Sequence, residues 1–180
     1  MASTIELPKE VWLEVFSHLD YFTLKNCMSV SKAFKSFTKL PTCQKTMFRS
    51  KTIIPDGGNI NLANVRVHPA FDCMSYECAT DLDEVYLGDD TVLADTCAAD
   101  EYATDPPVAF LRLRVVEWKP VQITNKSGVT VLQVMKSLCR FFSNENHRDS
   151  RGDHTGWTGW DETKLDRKGR LVLGVDWFDS

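Results

Sequence analysis

The apolar residues between Leu7 and Phe48 follow a helical spacing, and they are more numerous than a segment of this length can bury by itself. Pro8 has the fixed φ that suits the first turn of a helix, where its missing N–H costs nothing. Residues at steps of three and four positions share one face of a helix. Five apolar residues after Pro8 have this spacing: Val11, Trp12, Val15, Phe16 and Leu19.

Two further short helices are predicted before residue 41. Thr23 is expected to cap the second helix, and either Ser29 or Ser31 is expected to cap the third. Pro41 is expected to end the third helix because proline disrupts a helix interior. The apolar residues of these two helices are Leu24, Cys27, Met28, Val30, Ala33, Phe34 and Phe37.

This ordered pattern resembles an F-box. Two departures are visible, since Met28 stands where many members carry a polar or basic residue, and Phe34 and Phe48 stand where a Trp is common. Both departures keep an apolar or aromatic side chain. An ordinary helical core without a partner would show the same stripes, but it would not show the ordered match. The matching positions are Leu7–Pro8, Glu10, Val15–Phe16, Leu19, Leu24, Val30–Ser31 and Lys32–Ala33–Phe34.

The resemblance implies a bundle of three to four helices over residues 5–50 that docks to a Skp-family adaptor. Such adaptors connect F-box proteins to a cullin in SCF (Skp–cullin–F-box) ubiquitin ligases. The residues that the resemblance places against the adaptor are Leu7, Pro8, Val11, Val15, Leu19, Leu24 and Val30.

Bulk composition indicates a globular chain, with 43% hydrophobic and 26% charged residues. No run reaches the roughly 18 apolar residues of a membrane helix, and the first residues lack the features of a secretory signal. We therefore expect a cytoplasmic or nuclear protein without a membrane partner. Cys73 and Cys78 lie near His68, but no second ligand pair follows at a matching spacing, so neither a metal nor another cofactor is expected.

Charge divides unevenly along the chain. The formal net charge of −4 is the sum of +3 for residues 1–50 and −7 for the remainder. The larger part therefore lacks the basic footprint of a nucleic-acid-binding domain. Eleven acidic residues and no Lys or Arg lie between Asp72 and Asp105. We interpret this segment as irregular, solvated surface. The alternative is an acidic surface with aromatic anchors that recruits a basic client.

The rest of the chain predicts a small α+β domain over residues 65–180, joined through a linker at 51–64. Apolar residues alternate with basic ones over 110–116, which is the period of a half-buried strand, and further short strands are predicted at 85–87, 120–124 and 171–175. We expect an antiparallel or mixed sheet and one main helix. Thr130 and Gln133 predict a capping box at the start of that helix. Its apolar stripe consists of Val131, Val134, Met135, Leu138, Cys139 and Phe142.

Three short motifs in this part are similar to a small domain of fungal, especially mushroom-type, proteins. The resemblance covers about residues 65–145 and implies an α+β fold and a fungal source. That family has no established biochemical function, so the resemblance implies no activity. The motifs are His68–Pro69–Ala70, Ala103–Pro107 and Ser127–Val131.

Residues 144–164 are predicted to form a loop that holds two further candidate sites. Trp157 and Trp160 flank Gly159, and tryptophans are enriched at interface hot spots. They either fold back onto the small sheet or bind a client. His147 and His154 form a polar cluster, which is either solvated or suited to metal binding or acid–base work. Its other members are Asp149, Arg151 and Asp153.

Together these features predict a non-catalytic substrate-receptor subunit of an SCF ubiquitin ligase. The F-box would bind the Skp-family adaptor, and residues 65–180 would recruit a protein client. Two alternatives stay open at this point. The chain is either an adaptor-binding scaffold or inhibitor outside a ligase, or an enzyme with activity in the 144–164 loop whose F-box controls its own turnover.

Overall fold

A computed structural model describes residues 7–77, 80–88, 90–115, 119–149 and 156–175. The chain divides into two compact units, Met1–Ser50 and Lys51–Ser180. Helices form the described part of the first unit, and the second combines a sheet with one main helix, so the fold class is α+β as predicted.

Short helices with defined caps build the first unit. Asp20, rather than the predicted Thr23, caps α2, because its carboxylate accepts a hydrogen bond of 2.7 Å from the Thr23 N–H. This bond lowers the pKa of Asp20. Ser31 caps α3 by accepting from Phe34 N–H at 3.1 Å. Pro41 opens α4 instead of ending α3, since the first helical position needs no N–H. The helices are α1 (Lys9–Ser17), α2 (Tyr21–Val30), α3 (Lys32–Phe37) and α4 (Pro41–Thr46).

A small aromatic core holds these helices together. The ring centroids of Trp12 and Phe34 lie 4.6 Å apart, and Phe16 meets Phe34 edge-on at 5.1 Å. Leu24 is completely buried beside them. The apolar residues predicted to share one face of α1 therefore divide between the core and the surface. Trp12 and Phe16 face the core, whereas Val11 and Val15 remain exposed.

A mixed four-stranded sheet forms the centre of the second unit. Its strand order is β7-β6-β9-β8, with β6 parallel to β9 and all other pairs antiparallel. Two small antiparallel sheets, β1-β5 and β2-β3-β4, accompany it. The strands are β1 (Arg66–Val67), β2 (Met74–Ser75), β3 (Tyr86–Leu87), β4 (Thr91–Val92), β5 (Thr104–Asp105), β6 (Phe110–Val115), β7 (Val121–Thr124), β8 (Glu162–Leu165) and β9 (Leu171–Val175).

Helix α5 (Val131–Phe142) supplies the apolar face that covers this core. The predicted capping box is present, since Gln133 N–H donates to the Thr130 hydroxyl at 3.3 Å and Thr130 N–H donates to the Gln133 side chain at 3.1 Å. All six residues of the predicted apolar stripe are buried. Burial also raises the pKa of the Cys139 thiol to about 11, so this thiol is protonated at neutral pH and packs as a small apolar group.

The acidic segment between residues 65 and 105 is not the solvated surface that we expected. Its backbone alternates between two-residue strands and 3₁₀ turns at Pro69–Cys73, Leu82–Glu84 and Leu93–Asp95. This alternation turns the apolar side chains inward and leaves most of the carboxylates outside, whereas Glu101 and Asp105 are buried. The buried residues that the segment contributes to the core include Phe71, Met74, Tyr76, Val85 and Leu93.

Residues 51–64, predicted as a linker, lie within the second unit. Ile54 N–H donates to Pro107 O, and Ile54 O accepts from Ala109 N–H, both at 2.8 Å. The Asp56 carboxylate receives two hydrogen bonds of 2.6 and 2.7 Å from Arg170. The predicted 144–164 loop also contains regular structure, namely α6 (Glu145–Asp149) and most of β8, because β8 pairs with β9 across a tight turn.

Gly128 provides a test of the packing around the start of α5. It has a φ of +94°, and a Cβ there would lie 2.5 Å from a ring carbon of Tyr102. Gly169 has a φ of +72° with open space around it. Both Gly→Ala changes incur the strain of a positive φ. We expect Gly128→Ala to lower the free energy of unfolding of the second unit by about 1–3 kcal/mol more than Gly169→Ala, because of overpacking.

Amide hydrogen exchange of β6 in the full chain measures this difference, since these central amides exchange through the largest openings of the unit. Equal losses in the two variants would show that the Tyr102 ring moves aside without cost, and would contradict the expectation.

Candidate functional site

Apolar side chains that the first unit leaves uncovered form the candidate docking surface. Leu7, Val11 and Val15 follow each other at four-residue steps and are 41–43% exposed. Among the described residues, five of the six exposed large apolar side chains belong to the first unit. Single exposed apolar residues are ordinary, whereas a row of them indicates a surface that another molecule covers.

Helix α2 adds two apolar residues to the exposed set. Val30, which the sequence predicted, is 69% exposed at the end of this helix. Phe22 is 40% exposed and was not predicted. Its signal in the sequence is its position, because it lies on the side of the helix opposite the Leu24–Cys27–Met28 stripe.

The structure separates the predicted adaptor residues into surface and core. Leu7, Pro8, Val11, Val15 and Val30 are exposed. Leu19 is half-buried against the core, and Leu24 is completely buried within it. Leu24 is therefore not among the exposed apolar residues of the first unit. Its side chain is used by the core of the unit itself, together with Phe16, Cys43 and Met47.

The two tryptophans predicted as client-binding residues pack against the core of the second unit. The Trp157 indole N–H donates to Phe71 O at 2.6 Å, and the Trp157 backbone N–H donates to Tyr76 O at 3.0 Å. The Trp160 ring meets Trp157 edge-on at 4.9 Å and Phe71 at 5.4 Å. Both side chains are half-buried, so folding back onto the core describes them better than an open client-binding site. The contacts of both rings include Phe71 in the 3₁₀ segment.

The predicted histidine cluster is only partly within the described residues. His147 stacks on the Phe141 ring at 4.0 Å, and its Nδ1 lies 2.9 Å from Phe141 O. Since a carbonyl only accepts, this nitrogen carries the proton. His154, Arg151 and Asp153 lie outside the described part of the chain, as does the side chain of Asp149. Where the structure describes the chain, no three His, Cys, Asp or Glu side chains are grouped as a metal site requires.

A buried polar pair that the sequence did not predict lies in the second unit. His68 Nε2 is 3.3 Å from the Glu101 carboxylate, and both side chains are at most 1% exposed. Ala70 N–H donates to His68 Nδ1 at 3.0 Å, so the proton of a neutral ring lies on Nε2 and faces the carboxylate. Glu101 O in turn accepts from Val131 N–H at 2.9 Å. The pair thereby links a 3₁₀ turn to the first residue of α5 and has a structural role.

Charged side chains on the sheet are arranged in pairs. Arg112 lies 2.7 Å from Asp166, and Arg114 lies 2.8 Å from Glu162. The pKa of Glu162 is lowered, mainly by its hydrogen bond with Lys164. These contacts satisfy the charges within the sheet and do not form an open site.

No helix in the described ranges has the length and apolar character needed to cross a membrane.

Matched substitutions of the two tryptophans test their structural role. Trp157→Phe removes the N–H that bonds to Phe71 O and leaves that carbonyl without this donor, whereas Trp160→Phe removes an N–H that has no partner among the described residues. The change in ring size is the same. We expect Trp157→Phe to lower the free energy of unfolding by about 1–3 kcal/mol more than Trp160→Phe. Urea denaturation of both variants measures this difference in the free energy of unfolding. Equal decreases in the two variants would assign no energetic role to the Trp157 hydrogen bond.

Comparisons with known proteins place both units in families. A model of the F-box domain matches residues 5–45, and a model of a family of unknown function (DUF6699) matches residues 63–171. The resemblances to an F-box and to a family of unknown function are thereby confirmed, and the fungal source stays a prediction. Neither a curated protein nor a solved structure matches the chain. F-box domains in general bind Skp-family adaptors and serve SCF-type ligases as non-catalytic adaptors. The chain carries an F-box domain at its N-terminal end and belongs, over most of its length, to the family of unknown function DUF6699.

Proposed function

We propose that this protein is a non-catalytic substrate-receptor subunit of an SCF ubiquitin ligase in the cytoplasm or nucleus. Its F-box docks to a Skp-family adaptor and through it to a cullin, while the second unit holds a protein client. The observation that supports this most directly is the exposed row of Leu7, Val11 and Val15, which lies within a match to a domain whose known partner is such an adaptor.

Docking to the adaptor is favourable because it covers apolar surface that folding leaves in water. Burial of apolar surface contributes about 25 cal/mol per Å². The first unit has a small core, whose fully buried centre consists of Phe16, Leu24, Cys43 and Met47. Domains of this size are only marginally stable by themselves. A partner that binds the folded form alone therefore stabilises it by mass action.

The charge of the first unit favours a negatively charged partner surface. Residues 1–50 have a formal charge of +3, and Lys32, Lys35 and Lys39 are all exposed. Complementary charge accelerates encounter more than it strengthens the final complex. The apolar row would then provide most of the affinity, and the lysines would raise the association rate at low salt.

In this role the chain carries out no bond chemistry. It holds a client and the ligase in one assembly, which raises the concentration of client lysines near the charged ubiquitin carrier. Such tethering increases effective concentration without any new catalytic contact.

Paired substitutions in α1 test the docking surface. Val11→Ser and Val15→Ser together remove exposed apolar groups and leave Trp12 and Phe16 in the core. Interface hot spots each contribute about 1–2 kcal/mol or more, so we expect the Kd for a purified Skp-family adaptor to rise roughly 100-fold. Isothermal titration calorimetry measures this change, and circular dichroism of the variant should keep its helical signal.

Two comparison variants make the result specific. Ser36→Ala with Thr42→Ala changes exposed residues of α3 and α4 and should leave the Kd within about twofold, because surface changes away from an interface cost little. Leu24→Ala should instead unfold the first unit, since loss of a buried leucine costs about 2–5 kcal/mol. Unchanged adaptor binding by the folded Val11→Ser/Val15→Ser protein would contradict the proposed surface.

Reconstitution separates a ligase receptor from an adaptor-binding scaffold or inhibitor. The full chain, a Skp-family adaptor and its cullin are mixed and passed over a size-exclusion column. A receptor should elute with both proteins in one complex. Elution with the adaptor alone, accompanied by release of the cullin, would favour the scaffold or inhibitor instead.

A further inference from the structure

A surface cavity of about 350 Å³ opens on the small β2-β3-β4 sheet. We call it the acidic cleft, and it is lined by Ser75, Glu77, Glu84 and Tyr86. Ser75 and Tyr86 are direct partners across β2 and β3, and Glu84 ends the 3₁₀ turn that precedes β3. The volume is at the lower end of the roughly 300–1,000 Å³ typical of ligand pockets.

Both walls of the acidic cleft are fixed by buried neighbours. Tyr76, between Ser75 and Glu77, is 1% exposed and accepts a 3.0 Å hydrogen bond from Trp157 N–H. Val85, between Glu84 and Tyr86, is completely buried, and its carbonyl accepts from Leu93 N–H at 2.8 Å. The cleft is therefore formed before any ligand binds, which reduces the entropy that binding must overcome.

The lining groups suit a cationic side chain. Glu77 and Glu84 are exposed and acceptor-only when ionised. Tyr86 is half-buried, and its hydroxyl has no hydrogen bond to the described residues. A guanidinium or ammonium group gains from carboxylate oxygens and also from the face of an aromatic ring within about 6 Å. The carboxylates would repel an anion, and an apolar group would gain nothing from them.

The chain segment that contains the acidic cleft, residues 72–105, has negatively charged side chains and neither Lys nor Arg. None of the exposed carboxylates from residue 72 to residue 100 forms an ion pair with another described residue. The carboxylates of the sheet differ, because Asp166 and Glu162 are paired with arginines. A field of one sign attracts and concentrates oppositely charged ligands. The eight exposed members are Asp72, Glu77, Asp81, Asp83, Glu84, Asp90, Asp95 and Asp100.

We propose that the acidic cleft is the docking site for a basic segment of the protein client. An Arg or Lys side chain of that segment lies between Glu77 and Glu84 against the Tyr86 ring, and neighbouring basic residues of the segment lie in the surrounding negative field. This inference rests on the proposed function, because it names the class of client that the second unit receives.

A peptide pair of defined charge provides the probe. A short fluorescent peptide of Gly and Ser with three spaced Arg residues is compared with the same peptide carrying citrulline, which keeps the shape of Arg without its charge. The full chain is titrated at physiological salt, and binding is followed by fluorescence anisotropy. Saturable binding of the Arg peptide is expected, with affinity at least about tenfold above that of the citrulline peptide. Equal affinities, or no binding of the Arg peptide, would overturn the proposal.

Charge-matched variants locate the site. Glu77→Gln with Glu84→Gln and Asp95→Asn with Asp100→Asn each remove two negative charges, but only the first pair lines the cleft. The first pair should weaken binding about tenfold and the second about twofold or less. Tyr86→Leu should also weaken binding, although it changes no charge. Equal losses in the two charge pairs would assign binding to the diffuse field, and stronger displacement of the peptide by spermidine than by unlabelled peptide would assign the cleft to a small polyamine.

A separate readout distinguishes this proposal from the proposed function. The Glu77→Gln/Glu84→Gln protein should bind the Skp-family adaptor with unchanged affinity. A chain that binds the Arg peptide but no adaptor would contradict the receptor role and leave the cleft as a basic-peptide site. A chain that binds the adaptor but not the Arg peptide would keep the receptor role and eliminate the cleft.

Discussion

The few apolar residues of α1 are divided between the core of the first unit and its exposed surface. Trp12 and Phe16 enclose the small core with Phe34, and Val11 and Val15 remain on the surface. A helix of this length has no further turn with which to enlarge its core. The first unit therefore combines marginal stability with a preformed apolar surface, and a partner that covers this surface supplies the burial that the unit lacks. The small size of the core thus makes docking favourable.

Among the described carboxylates of the second unit, those paired with arginines on the sheet differ from those exposed without an ion pair. On the sheet, each arginine of β6 lies against a carboxylate, as in the Arg114–Glu162 pair, so that charge is satisfied within the fold. In the chain segment that contains the acidic cleft, residues 72–100, the exposed carboxylates form no ion pair with another described residue. Glu77 and Glu84 do not contribute to the core beneath them, which is built from Tyr76 and Val85. Residues that the fold does not need for stability are available for recognition.

Long elements with a repeating apolar pattern were predictable from the sequence. Elements defined by contacts between residues far apart in the chain were not. Helix α5 was predicted with its cap and its buried stripe, because twelve residues contain three turns of one pattern. Periodicity placed Leu24 on an apolar face but contains no information on whether that face meets the core or a partner. Two-residue strands such as β1 and β5 have no period to detect, and neither was predicted. The bond from Trp157 to Phe71 joins residues 86 positions apart, and no local signal marks it.

The two proposed surfaces differ in the physical term that dominates each, and the difference fits a receptor. Affinity from buried apolar area lies mainly in slow dissociation and depends little on salt. Attraction between exposed charges accelerates association, is screened within about 8 Å at physiological ionic strength, and adds little to the lifetime of a complex. A subunit that docks through Val11 and Val15 and receives clients through Glu77 and Glu84 would stay on its ligase while clients exchange rapidly. Turnover of many clients by one assembled ligase requires this order of lifetimes.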